Sequence, residues 1–129
     1  MEELSDAWVY QKIGEIVSPF GLYQCEPCAM AVIRWLEENQ ISGNLLELRT
    51  LGYPDEDFIL SDRAGNDESI TLNGKHYGVE VRGLVFDNLS VEGLSRENWL
   101  KDFHCQSGDF VIHIRAGVGS NITWIIHEF

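Results

Sequence analysis

The fold turns on the stretch His76-Tyr77-Gly78-Val79-Glu80-Val81-Arg82-Gly83-Leu84-Val85-Phe86-Asp87. Strand-forming residues flank a tight turn at Arg82-Gly83, the pattern of two paired strands. With a two-residue loop, Val81 faces Leu84, Gly78 faces Asp87 and His76 faces Leu89. Side chains alternate across a strand, so His76, Gly78 and Asp87 share one face. Asp87 is then diagonal to His76 and within reach of its ring, and Gly78 leaves the space between them open. A three-residue loop would shift the register by one and put Asp87 on the opposite face.

Upstream of this hairpin, Asn73-Gly74 supplies the positive φ of a type I′ turn, so Ser69 to Leu72 is expected to pair with His76 to Arg82. Asn44 to Thr50 and Asp57 to Ser61 read as short strands around a Gly-Tyr-Pro-Asp turn, and Asp62 to Asp67 reads as a polar loop. Earlier the period is helical. Ser5-Asp6 caps a helix to about Val17, and Ala29, Val32, Ile33 and Leu36 form the apolar stripe of a second helix with Pro27 in its first turn. That helix is expected to stop near Gln40, with Gly43 available as a break. Downstream, Ser95 caps a short helix to about Phe103, and Asp109 to Arg115 and Asn121 to His127 close the chain as strands around Gly117 and Gly119. Two helices followed by five or six antiparallel strands make an α+β plan rather than a βαβ repeat.

The 129 residues hold 21 acidic and 9 basic side chains, a net charge of −12. Nucleic acids and anionic membranes both require a basic footprint, so neither is an expected partner; a cationic protein segment is. At 44% hydrophobic and 11% aromatic, the composition is that of one globular domain over 1–129 whose core needs no disulfide staple. Three cysteines and an acidic Met1-Glu2-Glu3-Leu4 in place of a signal peptide point to a reduced, cytoplasmic setting.

Cys25-Glu26-Pro27-Cys28 stands where a connector becomes the second helix. A thiolate there gains from the helix macrodipole and from unpaired backbone N–H groups. Glu26 opposes this unless it points away, so a protonated histidine is needed. Cys25 lies at or before the first turn and is the favoured nucleophile; Cys28 shares the inner stripe and is read as core. The reading in which both simply fill the core is equally open on these grounds. Asp87 beside His76 is the orienting pair of a Cys-His-Asp arrangement, in which the imidazole takes the thiol proton and the carboxylate fixes its tautomer. His104, His113 and His127 are weaker candidates, and Cys105 is read as filler.

With these residues in place, the chain resembles the papain fold toxin 2 family, papain-like cysteine peptidase domains of bacterial polymorphic toxin systems. Tyr23-Gln24-Cys25-Glu26-Pro27-Cys28-Ala29, Ile59-Leu60-Ser61-Asp62, Asn73 to Val81, Val85-Phe86-Asp87-Asn88-Leu89 and Gly93 to Leu100 carry the resemblance, over about 20–112. It implies a papain-like α+β fold with N-terminal helices on an antiparallel sheet. It also implies a nucleophile at Cys25, a general base at His76 and an orienting acid at Asp87. The expected activity is peptide cleavage or Gln/Asn deamidation of a protein substrate by a toxin-type effector with a cognate immunity protein, using no cofactor and no metal. Papain-like peptidases place a Gln several residues before the nucleophile for the oxyanion hole; Pro19 stands there in this chain, and Gln24 is the nearest substitute.

Two other classes compete. Cys-x-Pro-Cys at a helix start also resembles a thioredoxin-like redox motif, which would need a buried strand before it and a facing proline. An acidic immunity or binding protein would neutralise a basic partner without any need for Cys25, His76 and Asp87 to converge.

Overall fold

The computed structural model describes residues 4–51, 56–116 and 124–128. In chain order the elements are α1 (Asp6–Val17), α2 (Cys25–Glu38), β1 (Asn44–Thr50), β2 (Leu60–Ser61), β3 (Lys75–Val81), β4 (Leu84–Asp87), β5 (Ser90–Leu94), α3 (Arg96–Lys101), β6 (Phe103–His104), β7 (Phe110–Ala116) and β8 (Trp124–Glu128). Ser5 accepts the Trp8 N–H at 3.2 Å and so starts α1. Ser95 does the same for Asn98 at the head of α3. α2 stops because Gln40 takes a left-handed φ of 56°, which lets the Ile41 N–H reach the Leu36 carbonyl at 2.9 Å; Gly43 is not needed for the stop.

Six antiparallel strands form the main sheet in the order β5-β4-β3-β1-β7-β8, and β2 pairs with β6 separately. Leu45, Val79, Val81 and Phe86 point to the face covered by α1 and α2. On the other face Leu46, Leu48, Val85, Ile112 and Ile114 pack against Trp99 of α3, Phe103, Ile59 and Ile70. The β3–β4 hairpin pairs Val81 with Leu84, Glu80 with Val85 and Val79 with Phe86, the register of a two-residue loop. Arg82 (φ 48°) and Gly83 (φ 86°) both take the positive φ of a type I′ turn.

Three expectations change. Ser69 to Leu72 forms no strand on β3, because β1 occupies that edge, pairing Arg49 with Lys75 through Asn44 with Glu80. The segment runs beside residues 57–59 instead: the Ile70 N–H donates to the Ile59 carbonyl at 2.8 Å and the Thr71 hydroxyl to the Asp57 carbonyl at 2.7 Å. Gly74 keeps a positive φ of 73°, but its carbonyl accepts the Thr50 N–H and extends the β1–β3 ladder. The second change is that only Leu60 and Ser61 of the Asp57 to Ser61 stretch are strand. The third is the strand β5, which the sequence pattern does not announce. The Gly-Tyr-Pro-Asp turn, Gly117, Gly119 and the start of the last expected strand lie outside the described residues.

Candidate active site

The N-terminus of α2 meets the start of β3. Cys25 is the first residue of α2 and is 8% exposed; it opens into a cleft of about 200 Å³ whose walls include Tyr23, Glu26, Ile70, Thr71, Leu72 and Tyr77. His76 lies behind the thiol with no exposed surface, and Asp87 is 2% exposed. His76 Nε2 and Asp87 Oδ2 are 3.0 Å apart, as the shared strand face requires. With Nε2 committed to Asp87, Nδ1 is the ring nitrogen left for Cys25. Nδ1 has no partner of ordinary hydrogen-bond geometry, so the thiol contact is looser than a formed hydrogen bond; it is still close enough that thiol and imidazole shift one another's acidity.

The electrostatics separate the two cysteines. Burial pushes the Cys25 thiol up, but the neighbouring His76 imidazole and its charge, with the Tyr77 and Glu26 backbone N–H groups, outweigh it and hold the thiol below its ordinary value. Glu26 thus contributes through its N–H. Burial lowers His76, yet Asp87 and Cys25 together raise it to about 9. Cys28 has only burial and the charges of Asp87 and Cys25 around it, and it is pushed up to about 12. At 1% exposure among Ala29, Val32 and Leu36 it is a core residue.

Asp87 is held from every side. Arg63 donates from Nη1 at 2.9 Å and from Nη2 at 2.7 Å, the Trp99 indole at 2.9 Å and the Leu89 N–H at 3.0 Å. Burial pushes its pKa up, but His76 and Arg63 outweigh this and hold the carboxyl well below the usual carboxylate range. Arg63 is in turn gripped by Asp102, whose Oδ2 accepts from its Nε at 2.9 Å and whose Oδ1 accepts its backbone N–H at 3.0 Å. The space beside Gly78 is not open. Trp99 fills it, and a Cβ on Gly78 would stand 2.9 Å from the indole and 2.9 Å from Val85.

Sequence reasoning missed Arg63, Trp99 and Asp102. Arg63 sits in a stretch whose polarity reads as a solvated loop, and its partners are 24 and 39 residues away. Gln24 is exposed, and its side-chain carbonyl accepts the Gly21 N–H at 2.7 Å. Turn and helix precede Cys25 where a thioredoxin-like site would have a buried strand. His113 contacts the Arg49 guanidinium on neighbouring strands, and His104 is exposed with Asp62 at 3.0 Å.

Helices laid on an antiparallel sheet, with a cysteine heading a helix beside a strand-borne histidine and aspartate, define a papain-like α+β domain. The chain belongs to the Papain fold toxin 2 family, whose model matches residues 8–104, and is a toxin-type papain-like domain. No curated protein and no solved structure matches it. Among the described residues no helix is long and apolar enough to cross a membrane.

Proposed function

We propose that the chain is a thiol hydrolase of protein substrates, cleaving peptide bonds or deamidating Gln or Asn side chains, with Cys25 as nucleophile, His76 as proton carrier and Asp87 as orienting acid. The observation that carries the reading is the chain of contacts from Asp87 Oδ2 to His76 Nε2 at 3.0 Å, with the other ring nitrogen left for a thiol at a helix N-terminus. A binding module has no use for a buried imidazole poised between a carboxylate and a thiol.

In the reaction the Cys25 thiolate attacks the carbonyl carbon, forming a C–S bond and an oxyanion. The Cys25 backbone N–H, at the first position of α2 where intrahelical acceptors are lacking, stabilises that charge, whereas the Gln24 side chain is turned onto the Gly21 N–H. The imidazolium of His76 gives its proton to the departing nitrogen, the C–N bond breaks, and an amine or ammonia leaves. Water then attacks the thioester while His76 takes one of its protons. The acid is released and the thiolate and imidazolium are restored. Asp87 keeps its charge throughout and holds the imidazole in one orientation.

In a cell this activity would be a toxin-type effector's, restrained by an immunity protein. Expression of the wild type beside Cys25→Ala in a bacterial host, followed by whole-proteome mass spectrometry, tests it. New termini or Gln→Glu and Asn→Asp conversions are expected in the wild type alone. Identical proteomes from cells holding folded protein of both kinds would sink the proposal.

A further inference from the structure

Two carboxylates and a guanidinium lie behind His76, and the hydrolytic steps above use only Asp87. Arg63 stands in the loop after β2 with its side chain 17% exposed, between Asp87 and Asp102, whose side chains are 0% and 6% exposed. Each of its three guanidinium nitrogens donates. Nη1 and Nη2 reach the two oxygens of Asp87, Nη1 also reaches the Ser90 hydroxyl at 3.1 Å, and Nε reaches Asp102. Asp102 is itself held in place. Its Oδ2 accepts the Ser61 hydroxyl at 2.5 Å, its Oδ1 the Arg63 backbone N–H, and its carbonyl the Asp62 N–H at 3.0 Å.

The loop winds back on itself to deliver the side chain: Gly65 takes φ 91° and Asn66 φ 58°, and the Asn66 N–H returns to the Ser61 carbonyl at 3.1 Å. Trp99 in α3 and Asp102 at its C-terminal cap then support Asp87 from one helix, the indole directly and Asp102 through Arg63. Two parallel N–H···O bonds fix the plane of a carboxylate, which a single contact does not. That plane aims Oδ2 at His76 Nε2 and leaves Nδ1 for Cys25. Without the fork, Asp87 keeps the Trp99 and Leu89 donors, one on each oxygen, but loses the opposite charge beside it, and the imidazole it orients is held less firmly.

We propose that Arg63 is a positioning residue for the reaction at Cys25: its guanidinium fork locks Asp87, and through it the His76 ring, while Asp102 clamps the fork. The inference rests on the nucleophilic reading of Cys25 and extends that site inward, from His76 and Asp87 to Arg63 and Asp102. Loss of Arg63 removes a cation and loosens the imidazolium, and both effects raise the pH at which the thiolate forms. Glu26, Cys28, Lys75, Tyr77 and Tyr23 face the thiol from α2, β3 and the connector, and Asp87 faces His76. All are kept in the variants below, so a difference among them reports position 63 or 76.

The test is the pH midpoint of Cys25 alkylation by iodoacetamide in the wild type, Arg63→Ala, Arg63→Lys, His76→Ala and the double variant Arg63→Ala/His76→Ala, with folding checked by urea denaturation. Arg63→Ala should raise the midpoint by about half a unit or more, which slows alkylation at neutral pH by about threefold or more. Arg63→Lys keeps a charge without a fork and should leave most of that shift in place. Because Arg63 acts through the imidazole, its removal should add nothing once His76 is gone. A wild-type midpoint in Arg63→Ala, full recovery by lysine, or a further rise in the double variant over His76→Ala would each overturn the proposal. Should Arg63→Ala fail to fold, Arg63→Lys decides: a raised midpoint supports the fork and a wild-type midpoint overturns it. An ordinary thiol midpoint in the wild type, unmoved in His76→Ala, would instead sink the nucleophilic reading itself.

Discussion

At Cys25 two effects of similar kind and opposite sign compete, and the outcome is readable in a test tube. Burial favours the neutral thiol, while His76 and two backbone N–H groups favour the thiolate and prevail. Cys28, one helical turn on, keeps the burial without the partners and rises to about 12. At pH 7 iodoacetamide should therefore modify Cys25 and leave Cys28 intact. The sign of the pH dependence follows. A free thiol loses rate as pH falls below about 8.5, whereas Cys25 should hold its rate to a lower pH, because its lowered pKa preserves the thiolate. His76→Ala removes the strongest lowering partner and leaves the burial. The midpoint should then move above about 8.5 and the rate at pH 7 fall about tenfold or more. Peptide mapping by mass spectrometry across pH 5 to 10 measures both; equal labelling of the two cysteines, or a midpoint unmoved in His76→Ala, would contradict the assignment.

At the scale of elements, the β3–β4 hairpin sets the site, and Gly78 is its tightest point. A methyl group there meets Trp99 and Val85 at 2.9 Å, and the same indole donates to Asp87. Gly78→Ala should cost about 1–3 kcal/mol through overpacking, seen as a lower urea midpoint. It should also slow Cys25 labelling, because moving Trp99 loosens the carboxylate that orients His76. Unchanged stability and labelling would show that Trp99 relaxes freely. This hairpin was legible in the sequence because a two-residue loop and strict alternation determine which side chains share a face. Caps at Ser5 and Ser95 and the limits of β1 were legible for the same local reason. Strand β5 was not: Ser90 to Leu94 has little buried surface, and it joins β4 across an irregularity between Val85 and Asp87. The insertion of β1 between β3 and β7, and the reach of Arg63 into the site, depend on contacts far apart in the chain, where local pattern carries no signal.

For the whole molecule, the charge of −12 takes on a sharper meaning once its cations are located. Lys12, Arg49, Arg63, Arg82, Arg96 and Lys101 each pair with a carboxylate of the chain. Arg63 is 17% exposed at its side chain and spends its charge on Asp87 and Asp102, so it steadies the site while adding little to the outward field. With 21 acidic against 9 basic side chains the net field stays acidic, although Lys75 lines the thiol cleft, and a cationic segment approaching the protein gains in encounter rate rather than in chemistry. Epoxysuccinyl probes with a Lys-rich tail should alkylate Cys25 about tenfold faster than the same probes with a Glu-rich tail at about 0.02 M salt. The two should converge at about 0.5 M, where the screening length shrinks to a few ångströms. Iodoacetamide, being neutral, should show no such dependence and reports the thiolate alone. Tail-independent rates at low salt would confine the acidity to a role in solubility and remove the case for a cationic substrate or inhibitor.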